Sequence, residues 1–213
     1  METLDAADVI RELREEQAED EAENRFRSFV ALVIAVLAAL LAIATLGGGN
    51  VAEDMVHANI QASDTWAFYQ AKNIRQTSYN LAADELEATL LAQGGSLSAE
   101  ARQAMQEKVE KYRATAARYE SEPDPSAPGD SLRGEGKKQL SARARDWERQ
   151  REHAGAQDAN FDYSGIFFQI AIVLGSVSIL ALSRPVLYFC MALGGLATLL
   201  MINGFFLLVD LPL

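Results

Sequence analysis

The chain has one cysteine and two histidines among 213 residues, and five prolines. A lone Cys190, set inside an apolar run, excludes an intramolecular disulfide and any cysteine metal cluster. A thiol in that setting behaves as a small hydrophobe. No nucleophile elbow, HExxH, dinucleotide fingerprint or phosphate loop occurs, and Gly47-Gly48-Gly49 lacks the Lys-Ser/Thr a phosphate loop needs. Asp54 and His57 share a helix face, yet His153, the other histidine, has no carboxylate three residues before it, so the paired Glu-x-x-His pattern of a bundle metal site is missing. No catalytic residue, cofactor or metal is therefore assigned, and a non-enzymatic protein is expected. Basic charge is also scarce: 19 Lys+Arg stand against 30 Asp+Glu, a net charge of -11. Such a surface repels phosphate and argues against nucleic acid as a partner.

Hydrophobicity is segregated, although mean hydropathy is only -0.02. Residues 29–46 are apolar and uncharged over 18 positions. At 1.5 Å per residue they reach about 27 Å, close to the hydrocarbon thickness of a bilayer. Residues 163–182 and 186–209 form two further runs, separated by Ser183-Arg184-Pro185. Pro185 cannot continue the preceding helix, so a tight helical hairpin is expected. The region before the first run is long and acidic, unlike the short basic start of a signal peptide, so that run reads as an uncleaved anchor. Arg25, Arg27 and Arg184 flank the runs. Placing them all inside gives a cytoplasmic N-terminus, an outer central region and an outer end for Asp210–Leu213. In a bacterium the membrane would be the inner one and the central region periplasmic.

The fold class expected is an all-α membrane protein with one N-terminal span, a C-terminal hairpin of two spans, and a helical, coiled-coil-like extramembrane module. Residues 1–28 read as an acidic cytoplasmic helical arm, with Leu4, Val9, Ile10 and Leu13 as a short stripe and Glu21–Arg25 and Glu23–Arg27 as i,i+4 pairs. Gly47-Gly48-Gly49 predicts a bend or joint, after which Asn50 caps a new helix. The module spans 47–162. Within it, residues 51–93 predict one long helix, Gly94-Gly95 a stop, and Ser96 or Ser98 the cap of a second helix from 99 to about 120 that folds back antiparallel. Pro123, Pro125, Pro128 and several glycines make 121–136 a linker or exposed loop. A third helix from Lys137 to about His153 leads through Gly155 to the membrane.

The stretch Asp64-Thr-Trp-Ala-Phe-Tyr-Gln-Ala-Lys-Asn-Ile-Arg-Gln76 concentrates aromatic and basic side chains. Trp66, Phe68, Tyr69, Lys72 and Arg75 are the candidate interface, because Trp and Tyr dominate contact energetics and a cation can stack on their rings. The competing reading is that they plug the module's own core. Gln169 and Asn203 are the amides within the apolar runs, and each can hydrogen-bond the other or a neighbouring helix. The 64–76 stretch resembles the best-preserved part of an uncharacterised bacterial membrane-protein family known only as a domain of unknown function. A Trp-x-Tyr-Tyr-Gln-Ala-Lys-like tract marks that family; here Phe68 stands where Tyr is expected. The resemblance spans nearly the whole chain and implies a charged N-terminal helix, one span, a helical module and two terminal spans. It implies no activity.

Membrane lipid, and either a homo-oligomer or a larger membrane complex, are the expected partners. The function expected is oligomerisation or docking through the helical module. The alternative is a subunit or accessory of an oligomeric channel or transporter. The spans carry almost no buried charge, which argues against ion coupling.

Overall fold

The computed structural model describes residues 6–93 and 95–209, with side chains from residue 11 onward. The Leu4–Val9–Ile10 stripe, the Gly94 stop and the Asp210–Leu213 end lie outside the described residues. Four helices make up the described chain: α1 (Ala6–Gln93), α2 (Ala99–Glu120), α3 (Lys137–Ala181) and α4 (Arg184–Phe206). Among the described residues there is no strand, only an isolated bridge between Pro123 and Gly134. Three of the helices, α1, α3 and α4, are each long and apolar enough to cross a membrane.

The chain divides into two compact units, Met1–Glu53 with Ala154–Leu213, and Asp54–His153. In the first, buried positions recur at alternating spacings of three and four: Phe161, Ser164, Phe168, Ala171, Gly175 and Ser178 on α3, and Leu187, Cys190, Gly194, Ala197, Met201 and Gly204 on α4. On α1, Val30, Leu37 and Ala44 recur at sevens. This is the spacing of a seam between helices crossing at a shallow angle. Small residues set the approach. A Cβ added at Gly175 would lie 2.7 Å from Ile34 Cγ1, and one at Gly194 would lie 2.5 Å from Leu37 Cδ2. By contrast Ala31, Ala35 and Ala39 face outward. The α3–α4 turn is tight: Leu182 takes φ 46°, Ser183 N donates to Ser178 O at 3.2 Å, and Ser178 Oγ donates to Ser183 O at 3.0 Å.

Two breaks expected from the sequence do not occur. Helix α1 runs unbroken through Gly47-Gly48-Gly49, so Asn50 caps nothing. Gly47 and Gly48 serve packing instead, while Gly49 meets open space. A Cβ at Gly47 would sit 2.7 Å from Phe161 Cε1, and one at Gly48 would sit 3.1 Å from Phe161 Cβ. Each glycine costs about 1 kcal/mol of helix propensity. Seating a whole phenyl ring, worth about 1.5–3 kcal/mol, offsets that cost. Likewise α3 continues through Gly155 with no second cap. A single glycine is tolerated inside a helix of that length.

In the second unit α1 and α2 pair antiparallel. Tyr79 stacks on Tyr112 with centroids 5.5 Å apart, while further along α1 Asp84 and Glu87 both accept from Arg113. These two bonds, Glu87 first, hold the Arg113 proton more tightly than usual. Ser98 caps α2, its Oγ accepting from Ala101 N at 3.1 Å. The 121–136 loop closes on itself: Glu135 N donates to Glu122 O at 2.9 Å. Gly134 takes φ +118°, which a side chain would strain. Asp124 accepts from both Ser126 N and Ser126 Oγ, and these bonds keep its carboxyl below the usual carboxylate range.

Candidate interaction site

The 64–76 stretch lies on α1 within the second unit and turns Trp66, Tyr69, Lys72 and Gln76 toward α2, α3 and the 121–136 loop. Trp66 is half-buried; its Nε1–H donates to Glu148 Oε1 on α3 at 2.8 Å, and its ring meets Tyr69 edge-on at 5.4 Å. Lys72 is 4% exposed. Its Nζ lies 3.3 Å from Glu122 Oε2 and 3.5 Å from Glu135 Oε2, between the rings of Phe68 and Tyr119 at 5.4 and 5.6 Å. A buried ammonium is tolerated only with such pairing. The two carboxylates flank the Pro123–Gly134 bridge, so Lys72 fastens the loop to α1.

A second lysine completes the network. Lys137, at the start of α3, lies 5.7 Å over Tyr69, donates to Gln76 Oε1 at 2.7 Å, and sits 3.3 Å from Glu120 Oε2. Gln76 Nε2 donates to Ala116 O and to Glu120 Oε2. The Gln76 bond, then Lys137, hold the Glu120 carboxyl below its ordinary range. Arg75 and Phe68 are exposed. Trp66, Tyr69 and Lys72 are thus engaged within the module, while Arg75 and part of Phe68 remain outward. Nothing in the spacing of the sequence marked Glu122, Glu135, Lys137, Glu148 or Tyr119 as their partners, since these lie 47 to 82 residues further along the chain.

The opposite face of α1 has a different character. Ile60, Ala67, Ile74, Leu81 and Ala88 recur every seven residues and are all exposed, with Val56 beside them. Ile74 is 67% exposed. The packed positions Ala58, Ala62, Thr65, Lys72 and Ala83 lie on the far side of the helix. α1 therefore carries a packed face in this unit and, opposite it, an exposed row of aliphatic side chains. Near the α1–α2 turn a cleft of about 560 Å³ is lined by Glu87, Leu90, Leu91, Gln106, Val109 and Glu110.

In the first unit, Asn203 and Gln169 part company. Asn203 is buried: its Nδ2 donates to Asn160 Oδ1 and to Val209 O, and its Oδ1 accepts from Val209 N, each at 2.9 Å. Asn160, just ahead of Phe161, is the partner that the apolar runs did not reveal; the recurrence Asn160, Ser164, Phe168, Ala171 leading into the run is the signal that could have found it. Gln169 is exposed on α3.

His57 meets the edge of Trp147 at 5.7 Å. Among the described residues no group of three His, Cys, Asp or Glu side chains could hold a metal ion.

No curated protein and no solved structure matches the chain. A family model, Domain of unknown function (DUF4337), matches residues 26–207. That match takes in all three apolar windows and the whole helical module, and the chain belongs to this family.

Proposed function

We propose that this is a non-enzymatic integral protein of the bacterial inner membrane, with a cytoplasmic N-terminal arm and a periplasmic helical module that docks other chains. The observation that carries this reading is the exposed row of α1. Its aliphatic positions recur at seven-residue spacing over four turns of the repeat, yet they stay in solvent while Trp66, Tyr69 and Lys72, turned away from them, are already engaged. A regular row of exposed aliphatic side chains on a helix is suited to contact. Seven-residue spacing favours another helix as its occupant.

The orientation rests on Arg25 and Arg27 before the first apolar window and Arg184 in the hairpin turn. Arg25 and Arg27 are paired with Glu21 and Glu23 along the arm, at 3.3 and 3.0 Å. Such exposed pairs leave the basic bias of the flank in place, because acidic residues count little in that rule.

The experiment is native gel electrophoresis and affinity co-purification in mild detergent, comparing the natural chain with the double substitution Ile60→Asp, Ile74→Asp. Both positions are exposed, so the helical circular dichroism should not change. The natural chain should run as a complex that the double variant loses. A natural chain that runs as a monomer and captures nothing overturns the reading.

A further inference from the structure

Gln169 presents its amide on the outside of the first unit, within an apolar window. It lies 3.5 residues from the midpoint of the 163–182 run, which is about 5 Å along the helix axis. Among the described residues it makes no hydrogen bond, whereas nearby hydroxyls turn onto their own helix: Thr45 Oγ donates to Leu41 O, Ser176 Oγ to Ile172 O and Ser164 Oγ to Phe161 O. In water an exposed glutamine needs no partner. In hydrocarbon an unpaired amide is costly, because acyl chains neither donate nor accept.

The surface around Gln169 is shaped to receive a helix. Asp162, Ile166, Gln169, Val173, Ser176 and Leu180 recur at alternating spacings of four and three and are all exposed. They make a second seam on α3, with the amide at one of its inward positions. Beside it runs a groove of about 430 Å³ between α1 and α3, whose walls include Gly48, Gly49, Gly165 and Thr45, with Gln169 at one edge. A Cβ at Gly49 or Gly165 would meet nothing within 4 Å, so backbone is open to close approach there.

We infer that this face of α3 is a homo-oligomeric contact within the membrane, in which Gln169 of one chain pairs with Gln169 of a second copy. The amide is self-complementary, which fits a second copy. An amide carries both donors and acceptors, so two related by a two-fold axis satisfy each other. A lipid tail offers neither group. Polar side chains at seam positions are a recognised device for helix association in bilayers.

This inference rests on the apolar windows lying in a membrane, and not on the role of the module's exposed stripe. The test is disulfide crosslinking in native membranes, on full-length chains in which Cys190→Ala removes the natural thiol. The membranes are washed in alkali first. Gln169→Cys and Val173→Cys should form dimers on mild oxidation, while Ile170→Cys, at the same depth but a third of a turn round the helix, should not. In detergent, Gln169→Leu should weaken self-association by roughly 3- to 30-fold, the range set by an interhelical amide bond. Equal crosslinking at 169 and 170, or none at 169, would overturn the inference and leave the module's role untouched. So would a natural chain that stays monomeric with lipid in the groove. Loss of the chain in the alkaline wash would overturn the membrane reading and this contact with it.

Discussion

Asn203 on α4 donates a buried hydrogen bond to Asn160 on α3 at 2.9 Å, and its remaining amide capacity closes the C-terminal turn of its own helix onto Val209. One side chain therefore ties two helices together and caps one of them. Asn160 in turn donates to Ala156 O at 2.8 Å, so the nitrogen and the oxygen of both amides are engaged. Replacing Asn203 by Leu should strand the Asn160 oxygen and the Val209 backbone, at a cost of about 1–3 kcal/mol. Thermal unfolding of the detergent-solubilised protein measures it, and the double variant Asn160→Leu, Asn203→Leu should recover part of the loss.

Phe161 rests against Gly47, Gly48 and Gly204 and meets Phe205 edge-on at 4.8 Å. Gly47→Ala should destabilise by about 1–3 kcal/mol through overpacking. Phe161→Ala should cost about 3–5 kcal/mol through the cavity it leaves. Gly49→Ala, where the added methyl meets open space, should be neutral or slightly stabilising in the same assay.

The three glycines show where local reasoning stops. From the sequence alone they read as a bend, because helix propensity counts the cost at each residue and is blind to a ring more than a hundred positions away. The apolar windows, the helical hairpin and the Ser98 cap were legible, since each depends on a few adjacent residues. The partners of Trp66 and Lys72 were not, because they come from α2, α3 and the intervening loop. Gln169 and Asn203 looked alike as amides in apolar runs. A run without polar markers does not say which side of the helix faces inward, and only the packed structure separates the buried one from the exposed one.

Lys72 holds the 121–136 loop through Glu122 and Glu135. Lys72→Met keeps the stem and removes the charge. It should cost about 1.5–3 kcal/mol as the charged hydrogen bonds are lost. It should also free the loop, so limited proteolysis should cut within 121–136 several-fold faster than in the natural chain. Arg75→Met, at an exposed position, should change neither.

Two carboxyls, Glu120 in the second unit and Asp158 in the first, contribute to acid response with opposite signs. Gln76, then Lys137, hold the Glu120 carboxyl below its ordinary value of 4.5. The folded module binds that proton less readily than the unfolded chain. Its contribution is complete above 4.5 and fades as pH falls through the lower folded value. Asp158 behaves the other way: burial first, then the charge of Asp162, push its carboxyl up from 3.8. The folded unit binds that proton more readily, so stability from it is present below 3.8 and is lost as pH rises through the raised value. Glu120→Gln should flatten the loss of stability below pH 4.5, and Asp158→Asn should raise stability at neutral pH. Unfolding curves across a pH series check both.

The central claim is that lipid surrounds the three apolar windows while the two polar parts lie on opposite sides of one bilayer. Labelling of single cysteines with a membrane-impermeant maleimide, in a chain carrying Cys190→Ala, tests it most directly. Leu199 is 66% exposed on α4, so in that position only lipid can protect a thiol. The account predicts that Asp130→Cys labels once the outer envelope is opened, that Glu16→Cys labels only after the cytoplasm is opened too, and that Leu199→Cys stays unlabelled in both. Labelling of Leu199→Cys in intact membranes as fast as Asp130→Cys would contradict it.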